Sequence, residues 1–295
     1  MDGGYSRDME HRGCGQLLGP SIDAPGAWHS QGGQDRIVSS VFEGQRGGYF
    51  VDLAAASPVV LSNSRTLERD FAWRGLCIEG NHRLIASLMR ERNCSVVHTL
   101  ISSRAANVTY TENKLGKQGF NHISSRRGAA GGANVHSALP LEAVLRANGA
   151  PAVMEYLSLD VENHERAVLE HFPFGSYRWH ALSIETVEPA LAATLTRHGY
   201  VHALDVYHPL PDGRRKLLDH FYLHEAIPGG VDAARKRARA SKQLWDGAMA
   251  RRPLSGLSEE SVYRVNCGGV PEAFVASGGN DTALFSPRRA CSCSI

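Results

Sequence analysis

Five positions in this chain put a polar group directly after a short apolar run: Asp52, Glu79, Ser102, Asp160 and Glu185. Four of the five are carboxylates. A carboxylate at the end of a strand can serve simply as a cap, since its charge complements the N-terminal dipole of the helix that follows. Four converging on one edge of a sheet ask for more. Like charges held together raise one another's pKa and are kept where they face something cationic or rich in hydroxyls. Glu79 follows Asp52 by twenty-seven residues, close to where an acid grips ribose hydroxyls in dinucleotide folds. After the first acid the chain reads Asp52-Leu-Ala-Ala-Ala-Ser57, with no G-x-G-x-x-G and no Walker lysine. That argues against NAD and ATP, whose pyrophosphate needs such a cradle. A nucleoside without a pyrophosphate remains, and S-adenosylmethionine is the common one.

The elements that must carry these residues alternate. Gly48-Tyr-Phe-Val-Asp-Leu-Ala54 is a short apolar run entered through glycine, as expected of a buried strand. Helix is expected over about 62–72 and 82–92, strand over 75–79 and 95–102. After an interruption, helices are expected over 139–148, 165–172 and 189–198, with strands over 156–160 and 179–185. Pro189 suits a first helical turn. The stretches 200–207 and 219–225 are strands joined by Pro209-Leu-Pro-Asp-Gly213, too short for a crossover helix, so they should pair antiparallel. The expected fold is a doubly wound α/β domain, a mostly parallel seven-stranded sheet with an antiparallel C-terminal hairpin, over residues 31–227.

Three segments fall outside that rhythm. Residues 1–30 read as a flexible N-terminal arm. Residues 104–136, centred on Arg126-Arg-Gly-Ala-Ala-Gly-Gly132, form an insertion that is either a lid over a site or a floppy loop. Residues 228–295 comprise a helix-compatible stretch and a disordered tail from about Pro253. The stretch 231–252 holds seven Lys/Arg against two acids, the pattern of a solvated helix or of a patch for an acidic partner or membrane surface.

Composition narrows the class. With 295 residues, 42% hydrophobic and 21% charged, the chain is globular. A net charge of +2 gives no global argument for binding nucleic acid. Six scattered cysteines do not make a disulfide framework, which favours a reducing, cytoplasmic setting. No run of about eighteen apolar residues occurs, so no transmembrane segment is expected. There is no H-E-x-x-H and no Cys-x-x-Cys, so no metal is expected. His220 and His224 read as two edge residues sharing one strand face. A G-x-S-x-G nucleophile elbow is absent as well.

Together, Ser30-Gln-Gly-Gly-Gln-Asp35, Gly48-Tyr-Phe-Val-Asp-Leu-Ala54, Leu61-Ser-Asn63, Trp73-Arg-Gly-Leu-Cys-Ile-Glu79 and Tyr156-Leu-Ser-Leu-Asp-Val-Glu162 follow one another as in the FkbM-type methyltransferases, which this chain resembles over about 30–225. The resemblance implies a class I, Rossmann-like fold and S-adenosylmethionine-dependent methylation, mostly of oxygen, with a small-molecule or sugar hydroxyl as acceptor. It implies that Asp52 lies by the methionine moiety, that Glu79 holds the ribose, and that Ser62 and Asn63 line the pocket, with Ala54, Ala55 and Ser102 around it. Asp160 and Glu162 would face the transferring methyl or the acceptor, with His164 a further candidate. Two departures stand out. The family has Asp-x-Gly-Ala where this chain has Asp52-Leu-Ala54-Ala55, and Gly-x-Glu where it has Asn163-His-Glu165. The altered glycine loop keeps open a second reading, a catalytically silent relative acting as a binding module like the Star-type membrane-trafficking proteins that share this domain.

Overall fold

The computed structural model describes residues 28–111, 122–124, 135–210 and 213–250. In chain order the first elements are α1 (Gln34–Val41), β1 (Tyr49–Leu53), α2 (Arg65–Phe71), β2 (Arg74–Glu79), α3 (His82–Glu91), β3 (Ser95–His98) and β4 (Leu100–Ile101). Next come β5 (Ala106–Thr111), β6 (His122–Ser124), β7 (Val135–Leu139), α4 (Leu141–Ala147), β8 (Val153–Leu159) and α5 (Glu165–Leu169). The chain continues through β9 (Arg178–Ile184), α6 (Pro189–Arg197), β10 (Tyr200–Pro209), β11 (Arg215–His224) and α7 (Val231–Ala250).

Seven strands form the main sheet in the order β10-β11-β9-β8-β1-β2-β3. β1, β2, β3, β8 and β9 run parallel, while β11 is antiparallel to both β9 and β10. The expected doubly wound sheet with its antiparallel C-terminal hairpin is therefore present. The strand order reverses at β1: the chain builds outward to β3, then crosses back to lay β8 on the other side.

Alternation along each strand gives the sheet two covered faces. Phe50, Tyr156, Ala181 and Phe221 point to one face, where Ile37 and Val38 of α1, Leu67 of α2, Leu88 of α3 and Ala234 and Ala238 of α7 close over them. Val51, Leu157, Leu182 and Tyr222 point to the other, under Leu141 of α4, Val168 of α5 and Leu191 and Leu195 of α6. Close approach of β1 and β2 requires glycine at one point. A Cβ on Gly75 would stand 2.1 Å from the Phe50 carbonyl oxygen.

Several expectations need correction. Helix α1, which has no counterpart among the expected elements, buries Ile37, Val38 and Val41 in the core and its polar residues as hydrogen-bond partners. The Asp35 carboxylate accepts from the His29 backbone N–H (2.8 Å) and from the hydroxyls of Ser30 (2.5 Å) and Thr66 (2.7 Å). Trp28, His29 and Ser30, placed with the arm, are buried, Trp28 against Trp245 and Met249 of α7. The rest of the arm and the tail beyond 250 lie outside the described residues. The strand expected over 95–102 breaks after His98, and Leu100–Ile101 joins a second sheet in the order β4-β7-β5-β6. The insertion 104–136 thus contributes three strands rather than a structureless loop.

Cys77 of β2 is joined to Cys94, just before β3, by a buried disulfide that the scattered cysteine spacing did not announce. The basic helix also differs from a free patch. Arg235 pairs with Asp232, Arg237 holds the Val41 carbonyl and Glu43, and Arg239 donates to the Ala203 carbonyl. Lys242 reaches the Tyr207 carbonyl and Asp246. The helix is clamped onto α1 and β10 by its own cations.

Candidate functional site

The acidic strand ends share one face of the sheet. Asp52 stands opposite Cys77 on β2 and Ser158 on β8, and Ser158 stands opposite Ser183 on β9. Two residues on from each of these neighbours come Glu79, Asp160 and Glu185. Strand alternation keeps them all on that face, flanking the point where the strand order reverses and where open α/β sheets bind ligands.

Asp52 is buried and accepts hydrogen bonds from the hydroxyls of Ser64 and Ser158. Burial raises its pKa, and the charge of Arg92 with those two hydroxyls works against the rise. Arg92 is itself buried. It pairs with Glu68 (3.2 Å) and donates to the hydroxyls of Ser62 (3.2 Å) and Ser64 (2.8 Å). The Ser62 hydroxyl accepts from Arg92 and from the Arg65 N–H (3.2 Å) that opens α2. Asn63 does reach the strand edge, donating from Nδ2 to the Ser158 hydroxyl at 3.1 Å.

Glu79 ties two loops together. Its Oε2 accepts the Ala56 N–H (2.8 Å) and its Oε1 the Asn81 N–H (2.7 Å). Burial raises its pKa, and these amides, with that of Gly80, oppose the rise. Three amides fill three of the carboxylate's roughly four acceptor positions, which leaves one for a hydroxyl donor. The loop so held is left-handed at two alanines, Ala54 (φ 62°) and Ala56 (φ 48°), while Ala55 between them is buried. The Ala54 N–H is fixed to the Ile78 carbonyl at 2.9 Å.

After β8 the chain makes a second left-handed turn at Glu162 (φ 54°) and Asn163 (φ 68°). Glu165 supports it from within, accepting the Val161 N–H at 3.2 Å. Asp160, just past the end of β8, is exposed on one side and crowded by protein on the others. That surround and the adjacent Glu185 carboxylate push its pKa well up. Burial also raises Glu185, while a hydrogen bond from Asp160 opposes the rise. Glu185 Oε2 is buried with no hydrogen-bond partner among the described residues. Glu162 rises to about 7, through burial first and the charges of Asp160 and Glu165 after it, with Lys216 opposing. His164 opens α5, its pKa lowered by burial, and its Nε2 is 3.4 Å from the Ser102 hydroxyl.

Asp219 of β11 was not anticipated. It is fully enclosed on the same face and accepts from the Gln34 amide at 2.5 Å. Burial lifts its pKa to about 7, the Gln34 hydrogen bond opposing and the Asp160 charge adding. Its partner lies 185 positions away, so no local pattern could have announced it. A cavity of about 470 Å³ sits at the opposite, amino-terminal ends of β1 and β2, lined by Tyr49, Trp73, Arg74 and Asn93. None of the strand-end acids borders it.

What the acidic edge can do follows from its donor set. Asp52, Glu79, Asp160 and Glu185 accept hydrogen bonds from hydroxyl and ammonium groups and balance a cation. The buried, unsatisfied Glu185 oxygen calls for such a donor. A nucleoside carrying a cationic centre fits these residues.

No protein-family model matches the chain, and no curated protein matches it. Among solved structures it is similar to precorrin-6y C5,15-methyltransferase from Geobacter metallireducens, at 13% identity and a TM-score of 0.33 over 64% of this chain and 84% of that one. A methyltransferase from Pyrococcus furiosus shows 10% identity and a TM-score of 0.28, over 60% and 76%. A putative tRNA methyltransferase from Streptococcus pneumoniae shows 12% and 0.35, over 78% and 98%. The fold assignment rests on the sheet order itself, not on these likenesses.

Proposed function

We propose that this protein is an S-adenosylmethionine-dependent methyltransferase acting on a hydroxyl of a small-molecule or sugar acceptor. The observation that carries the reading is the row of same-face carboxylates, Asp52, Glu79, Asp160 and Glu185, beside the reversal point of the sheet. When bound, the cofactor supplies an electrophilic methyl on a sulfonium. Glu79, its carboxylate fixed by the Ala56 and Asn81 amides, is set to receive the ribose diol. Asp52, braced by Ser64 and Ser158, faces the amino-acid end.

For the acceptor, Glu162 is the better base. A carboxylate with a pKa near 7 is both available and basic at neutral pH. Asp160, raised further and paired with Glu185, holds its proton and orients by donating it in a hydrogen bond. His164, neutral and beside Ser102, borders the acceptor side. The remaining contribution is alignment of acceptor oxygen, methyl and sulfur, which well-placed groups supply by holding reactants in near-attack geometry.

The silent-module reading draws on the left-handed Ala54, which stands where the resembling family has glycine. One experiment separates the two. Purified protein is incubated with methyl-labelled cofactor and a panel of hydroxylated acceptors. Label transfer that falls at least tenfold in Glu162→Gln, with cofactor binding kept, supports the enzyme. Cofactor binding with no transfer to any acceptor favours the module.

A further inference from the structure

The outer face of the β10–β11 hairpin holds a second cluster, on the side of the sheet away from the acidic edge. β10 is the edge strand and β11 lies inside it, so His220 is not an edge residue as expected from sequence. The register slips between His202 and Leu204. Without that bulge, His202 and Asp205 would point to opposite faces. The extra residue brings them to the same one, the use bulges commonly serve beside sites. There they meet His220, which stands opposite Asp205 on β11. His202 Nε2 and His220 Nδ1 each lie 2.8 Å from Asp205 Oδ1.

We propose that His202, Asp205 and His220 form a binding site for a zinc-type divalent cation. Their three ligand atoms lie within 4.8 Å of one another. Bonds of about 2.0–2.2 Å to a tetrahedral ion place such atoms roughly 3.4 Å apart, so each 2.8 Å contact to Asp205 opens by about 0.6 Å to admit one, a shift within reach of side-chain rotation. Two imidazole nitrogens with one carboxylate oxygen select a zinc-, cobalt- or nickel-like ion over calcium or magnesium, which take oxygen sets. The remaining coordination goes to water, since His202 is exposed on the edge strand. The Tyr207 hydroxyl, 3.5 Å from Asp205 Oδ2, steadies the free carboxylate oxygen in the manner of an outer ligand shell. On loading, each imidazole turns its lone pair to the ion by carrying its proton on the other ring nitrogen, Nδ1 of His202 and Nε2 of His220, and the ion takes the place of the bridging hydrogens. The ion would staple the two outer strands across the bulge. Asp219, adjacent to His220, points to the other face, so the site stands apart from the acidic edge.

The test uses the full chain, stripped with a chelator and with free thiols alkylated so that cysteine cannot compete. Zinc chloride is titrated calorimetrically, and cobalt(II) is added separately to read coordination from its visible spectrum. The expected result is one saturating equivalent of zinc, weakened at least tenfold in each of His202→Ala, Asp205→Asn and His220→Ala and unchanged in His224→Ala. If His220→Ala fails to fold, the exposed His202→Gln gives the same readout. Absence of a saturating equivalent, or one that survives all three substitutions, overturns the proposal and leaves a hydrogen-bonded cluster only.

Discussion

Asp219 shows how a single buried acid in this protein couples to pH. Its folded pKa, raised by burial to about 7, lies above the unfolded value of 3.8. Between those values the native state keeps a proton that the unfolded chain has released, so this group's contribution to stability falls as pH rises from about 4 through 7. Asp219→Asn imitates the protonated form and keeps an acceptor for Gln34. The melting-temperature advantage of the variant over the parent is therefore expected to be largest at pH 8 and to shrink toward pH 5. A difference that stays constant across that range would contradict the assignment. The strand-end acids were legible in the sequence because each closes an apolar run. Asp219, Arg92 and Ser158 were not, because what defines them is a partner brought from another strand or helix. The Ser62 hydroxyl likewise accepts from an arginine, Arg92, that no local pattern announces.

At the scale of the element, the loop after β1 concentrates strain at the site. Ala54 at φ 62° and Ala56 at φ 48° occupy the left-handed region, which costs an L-residue about 1–2 kcal/mol. Glycine relieves that cost but adds about 0.5–1 kcal/mol of unfolded-state entropy. Ala54→Gly is thus expected to be neutral to stabilising by up to about 1 kcal/mol in denaturant unfolding, and Ala54→Val to be destabilising. Destabilisation by glycine beyond its entropic cost would show that the Ala54 methyl is needed for packing. The parallel strands and their helices were readable from periodicity because each buries a continuous apolar face. α1 was not, since its stripe of Ile37, Val38 and Val41 is short and is flanked by Gln34, Asp35, Arg36, Ser39 and Ser40, which are buried through hydrogen bonds instead of exposed. The small second sheet also escaped, its strands being short and rich in Asn, Ser and Thr.

Across the whole molecule, the chain ends of the domain lock together over the sheet. Arg36 of α1 donates to the carbonyl (2.6 Å) and hydroxyl (2.9 Å) of Ser241 on α7, and Trp28 packs with Trp245. The helix expected as a separate basic appendage is in this way part of the domain. The Cys77–Cys94 disulfide adds a covalent tie between β2 and the start of β3. No described helix is long and apolar enough to cross a membrane. The central claim is that the edge carrying Asp52, Glu79, Asp160 and Glu185 binds S-adenosylmethionine. The most direct measurement is thermal unfolding with and without S-adenosylmethionine or S-adenosylhomocysteine, beside Glu79→Ala. At about a hundred times its dissociation constant the ligand should add roughly 2.7 kcal/mol, a rise in Tm on the order of 5–10 °C, and the substitution should abolish it. No shift at millimolar ligand, or one undiminished in Glu79→Ala, would contradict the account.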